Sequence, residues 1–176
     1  VYGIQSSVRT LEEFLDVDIN YYTKVNFQTL IQLVDELDGL IIDNPYSFVT
    51  NDGKYQYPIG RIALNGDQTL WYVRERHNLP EGDLSRGENQ QRVLKALIEK
   101  ILSPDILKHY TDILSVVEDS FQTNMPTQHM MKLVTHQLTE MPKWDIETAN
   151  IKGTGSQEPS YAAGGLELSV VIPDEE

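Results

Sequence analysis

Arg74, Arg76 and Arg86 crowd into the stretch Leu70 to Gln91, which reads LWYVRERHNLPEGDLSRGENQQ, in a chain whose formal charge is −13. A guanidinium is a planar, permanently charged fork, and several converging forks suit a phosphate or a diphosphate. The helix expected over Glu88 to Leu102 places Arg86 at its entrance and Gln90 one turn on, with both side chains on one face. Arg74 and Arg76 share a face only where the chain is extended, so a helix is predicted to end near Val73 with both arginines leaving it in one direction. A helix N-terminus beside them adds partial positive charge. Glu75, Glu81, Asp83 and Glu88 are also close enough to pair with the arginines as a solvated surface network of little energetic weight. Residue types and spacing alone leave both arrangements open.

Other reactive side chains are sparse. His77 follows Arg76 and is a proton donor or acceptor near neutral pH, or a loop histidine with no role. No Ser-His-Asp arrangement is discernible, Cys is absent, and nothing supplies Ser85 with a base, so no side chain is equipped to form a covalent intermediate. Asp16-Val-Asp-Ile-Asn20 opens like a calcium loop but has Tyr21 where Gly is needed and Phe27 where Glu is needed. His129 and His136 share a helix face without the i, i+4 spacing or the nearby carboxylate of a metal site. Gly153-Thr-Gly-Ser156 lacks the lysine of a phosphate-binding loop.

The elements that must position the arginines follow from periodicity and punctuation. Helices are predicted over Gln5 to Leu15, with Val8, Leu11, Phe14 and Leu15 on one stripe, and over Phe27 to Leu37 with Gly39 as its stop. Tyr21 to Asn26 and Leu40 to Asp43 read as strands around that second helix, which suggests a crossover in a sheet with helices on its faces. Tyr46 to Arg61 reads as a surface loop or irregular hairpin. Asn65 is the plausible cap of a short helix to Val73, with Leu70 and Val73 facing the core and Trp71 or Tyr72 flanking the arginines. Val93, Leu94, Leu97, Ile98 and Ile101 mark the apolar face of the next helix. Ser103-Pro104 restarts a helix from Ile106 to Val117, with a break near His109 to Thr111, and Pro126 to Thr139 forms another. Lys143 to Thr148 alternates like a strand, Gly153 to Ser160 reads as a polar loop, Ala162 to Gly165 as a turn and Leu166 to Ile172 as the last strand.

At 176 residues, 40% hydrophobic and 23% charged, the chain has the composition of an ordinary globular domain, and residues 1–176 are read as a single one. The acidic balance argues against a broad nucleic-acid-binding face, which has to be basic. No apolar run approaches the roughly 20 residues needed to cross a bilayer. The first residue is Val, so the natural N-terminus and any membrane anchor are expected to lie outside the sequence.

Tyr72-Val-Arg-x-Arg76, Gly82-Asp-Leu-Ser-Arg86 and Gln90-Gln91 together resemble the C-terminal signature of the LytR-CpsA-Psr domain. Tyr21 to Phe27, Leu33 to Gly39 and Leu64 to Val73 are similar to other stretches of that family, in the same order and at similar spacing, and the likeness runs from Val1 to about Ile172. The resemblance implies an α/β fold, a central mixed β-sheet flanked by helices on both faces. It also implies an extracytoplasmic, membrane-anchored phosphotransferase in the cell envelope of a Gram-positive bacterium. Such enzymes move a glycopolymer such as teichoic acid or capsule from a polyprenyl pyrophosphate carrier to peptidoglycan. A hydrophobic tunnel for the polyprenyl tail is implied as well, lined by some of the predicted core aliphatics. Carried over, Arg74, Arg76, Arg86 and Gln90 bind the pyrophosphate and Asp83 orients the arginines, with Arg74, Arg86 and Asp83 as the catalytic set. Two departures stand out. Many members carry arginine where this chain has Asn89. The family's upstream segment, with aspartates holding Mg2+ and a further arginine and lysine at the phosphates, is expected before Val1, and catalysis is expected to need it. A non-catalytic polyprenyl-phosphate or phosphoglycan binding module is the alternative, and a transcriptional attenuator, the family's older label, a third.

Overall fold

The computed structural model describes residues 3–107 and 122–174, in two compact units, Val1–Trp144 and Asp145–Glu176. In the first unit, α1 (Ile4–Leu15) leads to the short strand β1 (Thr23–Lys24) and then α2 (Phe27–Glu36). β2 (Leu40–Asn44), β3 (Phe48–Val49), β4 (Gln56–Tyr57) and β5 (Gly60–Leu64) follow, then α3 (Gly66–Arg74), α4 (Asp83–Ile101) and α5 (Pro104–Leu107). β6 (Gln122–Thr123) and α6 (Thr127–Glu140) complete it. The second unit is a hairpin of β7 (Gly153–Ser160) and β8 (Leu166–Pro173).

The predicted Asn65 cap forms. Asn65 accepts from the Gln68 backbone N–H at 2.9 Å while Gln68 Oε1 accepts from the Asn65 N–H at 3.0 Å, so two orphan donors of α3 are satisfied reciprocally. Asn26 and Thr29 make the equivalent pair at the start of α2. Five residues of β2 pair antiparallel with β5, from Leu40 opposite Leu64 to Asn44 opposite Gly60. Alternation along β2 buries Leu40, Ile42 and Asn44 and leaves Ile41 and Asp43 exposed, the period of two that a half-buried strand requires.

Helix and strand are mixed as expected for the α/β class, but the particular crossover is not formed. β1 pairs with β6 and β2 with β5, so the two strands around α2 belong to different ladders, and the described strands pair as antiparallel two-stranded ribbons. The Tyr46 to Arg61 segment contains the hairpin β3–β4, with Tyr46 and Tyr55 half-buried and two further aromatics inside rather than at the surface. Phe48 and Tyr57 are buried with Tyr72, at ring-centroid separations of 4.8 Å, 5.5 Å and 5.3 Å. Asn44, also buried, donates to the carbonyls of Tyr46 (2.7 Å) and Pro58 (2.8 Å) and accepts from the Tyr72 hydroxyl (3.0 Å). Burial pushes the Tyr72 phenol up to about 12, which keeps it a neutral donor.

Several other expectations change. Tyr21 to Asn26 shrinks to the two residues of β1, and α1 buries none of its apolar stripe. α4 begins at Asp83, five residues before the predicted start, because Gly82 takes a positive φ of 54° and turns the chain straight into the helix. Leu94 falls off the buried face of α4 at 56% exposure. Lys143 to Thr148 is not a strand; alternation alone makes none without a partner ladder, and the Trp144 indole instead donates to Gln137 Oε1. Gly153 to Ser160 is a strand despite its polarity, since β8 supplies that partner over eight residue pairs. The continuation of the Ile106 helix and its break lie outside the described residues.

α2 packs on α3, α3 on α4, and α4 on β2, so α3 is held between two helices. The first contact depends on Gly66. A Cβ there would lie 2.3 Å from the Ile31 carbonyl oxygen and 2.8 Å from its Cα, and the Gly66 N–H donates to Asp35 Oδ1 at 2.7 Å. Gly66→Ala is expected to push α2 and α3 apart and to cost roughly 1–3 kcal/mol, read as a lower urea midpoint.

Candidate functional site

Arg74 is the last residue of α3, and Glu75 after it is extended, with φ −63° and ψ 139°. The Glu75 side chain turns inward, 5% exposed, so its neighbours Arg74 and Arg76 stay outside it, as an extended segment demands. Both arginines line a cleft of about 400 Å³ together with Arg86 and Gln90 from the first two turns of α4. Phe27, Asn51, Trp71, Val73, Glu75 and His77 complete its wall.

The surface-network arrangement is not adopted at Arg74 or Arg76. Among the described residues neither has an ion-pair partner, since Glu88 pairs with Arg92 at 3.0 Å and Asp83 with Arg86 at 2.8 Å. Arg74 is steadied by aromatic faces instead. Its guanidinium carbon lies 5.1 Å from the Phe27 ring centroid and 5.6 Å from that of Trp71, within cation–π range. Of the two aromatics predicted to flank the arginines, Trp71 does so and Tyr72 is core.

Gln90 lines the cleft and donates its amide to the Val73 carbonyl at 3.2 Å, tying α4 to the end of α3. Asp83 does not line it and acts on Arg86 from the side. Asn89 is fully buried and does not line the cleft. Its amide oxygen accepts from Arg92 (2.9 Å) and from the Tyr46 hydroxyl (3.3 Å). His77 is on the cleft wall, whereas His129 Nδ1 lies 2.6 Å from the Tyr21 hydroxyl at a separate surface.

The residue that sequence reasoning misplaced is Glu75. Its Oε1 accepts from the backbone N–H groups of Arg76 (3.0 Å), His77 (2.8 Å) and Asn78 (3.1 Å), and its Oε2 from that of Asn51 (2.7 Å). Burial acts to raise its pKa, but the four N–H groups outweigh burial and hold it below the ordinary 4.5. The signal was present: in an extended Arg-Glu-Arg the middle side chain faces away from its neighbours.

This wall does not fit a divalent ion. Among the described residues Glu75 is the one carboxylate lining the cleft, both its oxygens are taken by backbone amides, and no group of three or more His, Cys, Asp or Glu gathers. What it offers is three cationic forks facing one open volume, an arrangement suited to a diphosphate.

The profile of the LytR_cpsA_psr family matches residues 1–170, and the chain belongs to that family. It is 32% identical over 153 residues to the polyisoprenyl-teichoic acid–peptidoglycan teichoic acid transferase TagU of Enterococcus faecalis, which covers 87% of this chain and 49% of the relative. The crystal structure of Bacillus subtilis TagU aligns with a TM-score of 0.65 at 31% identity, over 88% of this chain and 62% of that one. The protein gbs0355 of Streptococcus agalactiae aligns with a TM-score of 0.77 at 26% identity, over 99% of this chain and 58% of that one. The chain thus spans about half the length of the transferase it matches.

Because its folded-state pKa is depressed, Glu75 contributes stability that is fully present above about pH 4.5 and is lost as the pH falls through the lower folded value. Glu75→Gln is expected to lower stability at pH 7 by roughly 1–3 kcal/mol, and the gap to wild type should narrow on acidification. Urea midpoints of both proteins from pH 7 to pH 3 check this.

Proposed function

We propose that this chain supplies the diphosphate-gripping part of a phosphotransferase that moves a polyprenyl-pyrophosphate-linked glycopolymer onto peptidoglycan at the outer face of the cell membrane. The observation that carries the reading is the cleft into which Arg74, Arg76 and Arg86 all open, with Arg74 and Arg76 free of carboxylate partners among the described residues. Support comes from family membership and from the name of the Enterococcus relative, a transferase acting between polyisoprenyl-linked teichoic acid and peptidoglycan.

In the proposed reaction a sugar hydroxyl attacks the glycopolymer-side phosphorus of the diphosphate. A new P–O bond forms, the bridging P–O bond breaks, and polyprenyl phosphate leaves with the electron pair. Negative charge gathers on the non-bridging oxygens and the leaving group, where fixed guanidinium groups offset it without reorganising. The hydroxyl gives up its proton, and His77 on the same wall is the imidazole suited to take it. Asp83 holds Arg86 in place through their ion pair. The magnesium ion that the resemblance implies would need ligands other than these residues, and no step here is routed through it.

Each guanidinium–phosphate contact is worth about 1.5–3 kcal/mol, so losing one should weaken binding by roughly ten- to a hundredfold. A soluble prenyl diphosphate titrated by calorimetry should bind the wild type, bind Arg74→Ala weakly, and not bind Arg86→Glu, while Lys143→Glu binds as wild type does. Equal binding by all four proteins removes the cleft from the reading. In a protein carrying the whole domain, glycopolymer transfer that depends on magnesium and disappears in Arg74→Ala identifies an enzyme; lipid binding without turnover under any metal identifies a binding module.

A further inference from the structure

We propose that Glu75 is a positioning residue for diphosphate recognition: its buried carboxylate gathers backbone N–H groups from two separate segments and thereby fixes the direction of Arg76 relative to Arg74. This deepens the function proposed above and rests on it.

Three observations meet at this side chain. The first is the nest. Three successive amides, of residues 76, 77 and 78, converge on one oxygen at 2.8–3.1 Å, an arrangement by which protein backbones commonly hold an external anion. Here the chain's own carboxylate fills it, so an incoming phosphate meets side-chain forks and not those amides. The second is the cross-tie. Oε2 accepts from the Asn51 N–H in the β3–β4 turn, and the Asn78 side chain donates to the Val49 carbonyl at 2.9 Å, so the loop after α3 is fastened to the hairpin at two points. The third is what the arginines lack. Neither Arg74 nor Arg76 has a carboxylate to aim it among the described residues; Arg74 ends α3 against the Phe27 and Trp71 rings, so it is the aim of Arg76 that depends on the backbone from which it leaves, and Glu75 sets that backbone.

A loop held in one conformation presents its two forks at one spacing. That favours a ligand with two linked phosphates over a ligand with one, since a single phosphate can be met by either fork alone. A glutamate that merely stabilised the loop would change the melting temperature and leave this preference untouched.

Glu75→Gln tests the difference, because the amide keeps the shape but presents an NH2 group where one acceptor oxygen stood. Prenyl diphosphate and prenyl monophosphate are titrated into the wild type and the variant well below either melting temperature. The expected result is a loss of roughly ten- to a hundredfold for the diphosphate and a smaller loss for the monophosphate, so that the preference shrinks. A variant that melts lower yet binds both probes like wild type overturns the inference and leaves the proposed function standing. A wild type that binds neither probe overturns both. Should the variant fail to fold, amide exchange in the wild type decides. Residues 76–78 are expected to be protected before any probe is added, and free exchange that slows only on adding the diphosphate would refute a preset loop.

Discussion

A carboxylate leaves water only if other dipoles take the place of its hydration, and at Glu75 four backbone N–H groups do so. The constraint works in both directions. The amides make burial of the charge tolerable, and the charge leaves the amides one place to point. Asn44 applies the same logic in the core, where three hydrogen bonds join β2, both ends of the hairpin segment and the Tyr72 hydroxyl of α3. Because Tyr72 is two residues before Arg74, a little over half a helical turn, the aromatic core and the cationic cleft lie on opposite sides of α3. Packing of Phe48, Tyr57 and Tyr72 on one side therefore determines where the guanidinium groups stand on the other.

The charge distribution is divided accordingly. A chain of formal charge −13 repels anions at long range, yet the cleft wall holds three guanidinium groups and one carboxylate whose oxygens are engaged. Such contrast sets the cleft apart from the acidic balance of the chain as a whole. Rings rather than acids steady Arg74, which leaves its full charge available to a ligand. Arg86 differs: its partner Asp83 is the first residue of α4 and restrains it from within the same turn.

Local chemistry was legible in the sequence, and partnership between distant segments was not. Asn65 and Gly39 announced the ends of α3 and α2, because caps are settled within four residues of chain. The grouping of Arg74, Arg76, Arg86 and Gln90 was legible for a similar reason: one helix end and one helix start, separated by a short turn, leave few alternatives. Strand pairing was less accessible. Gly153 to Ser160 carries no apolar alternation and became a strand through its partner, while Lys143 to Thr148 alternates and found none. Glu75 was read as one more surface acid since composition near the arginines is acidic throughout, and only the inward turn of an extended residue separates it from Glu81 or Glu88. The stripe of α1 was legible as a stripe, but burial belongs to whatever lies against it, which the stripe does not specify.

The contact between Gly66 and Ile31 reaches further than its place in the fold suggests. Phe27 opens α2 and Arg74 closes α3, so the two helices behave as the jaws of a caliper whose pivot is a hydrogen atom in the place of a methyl group. The gap at the tips is the 5.1 Å between the Phe27 ring and the Arg74 guanidinium. Widening the pivot would move the Phe27 ring away from the Arg74 guanidinium, so the shape of the cleft wall depends on a residue that does not line it.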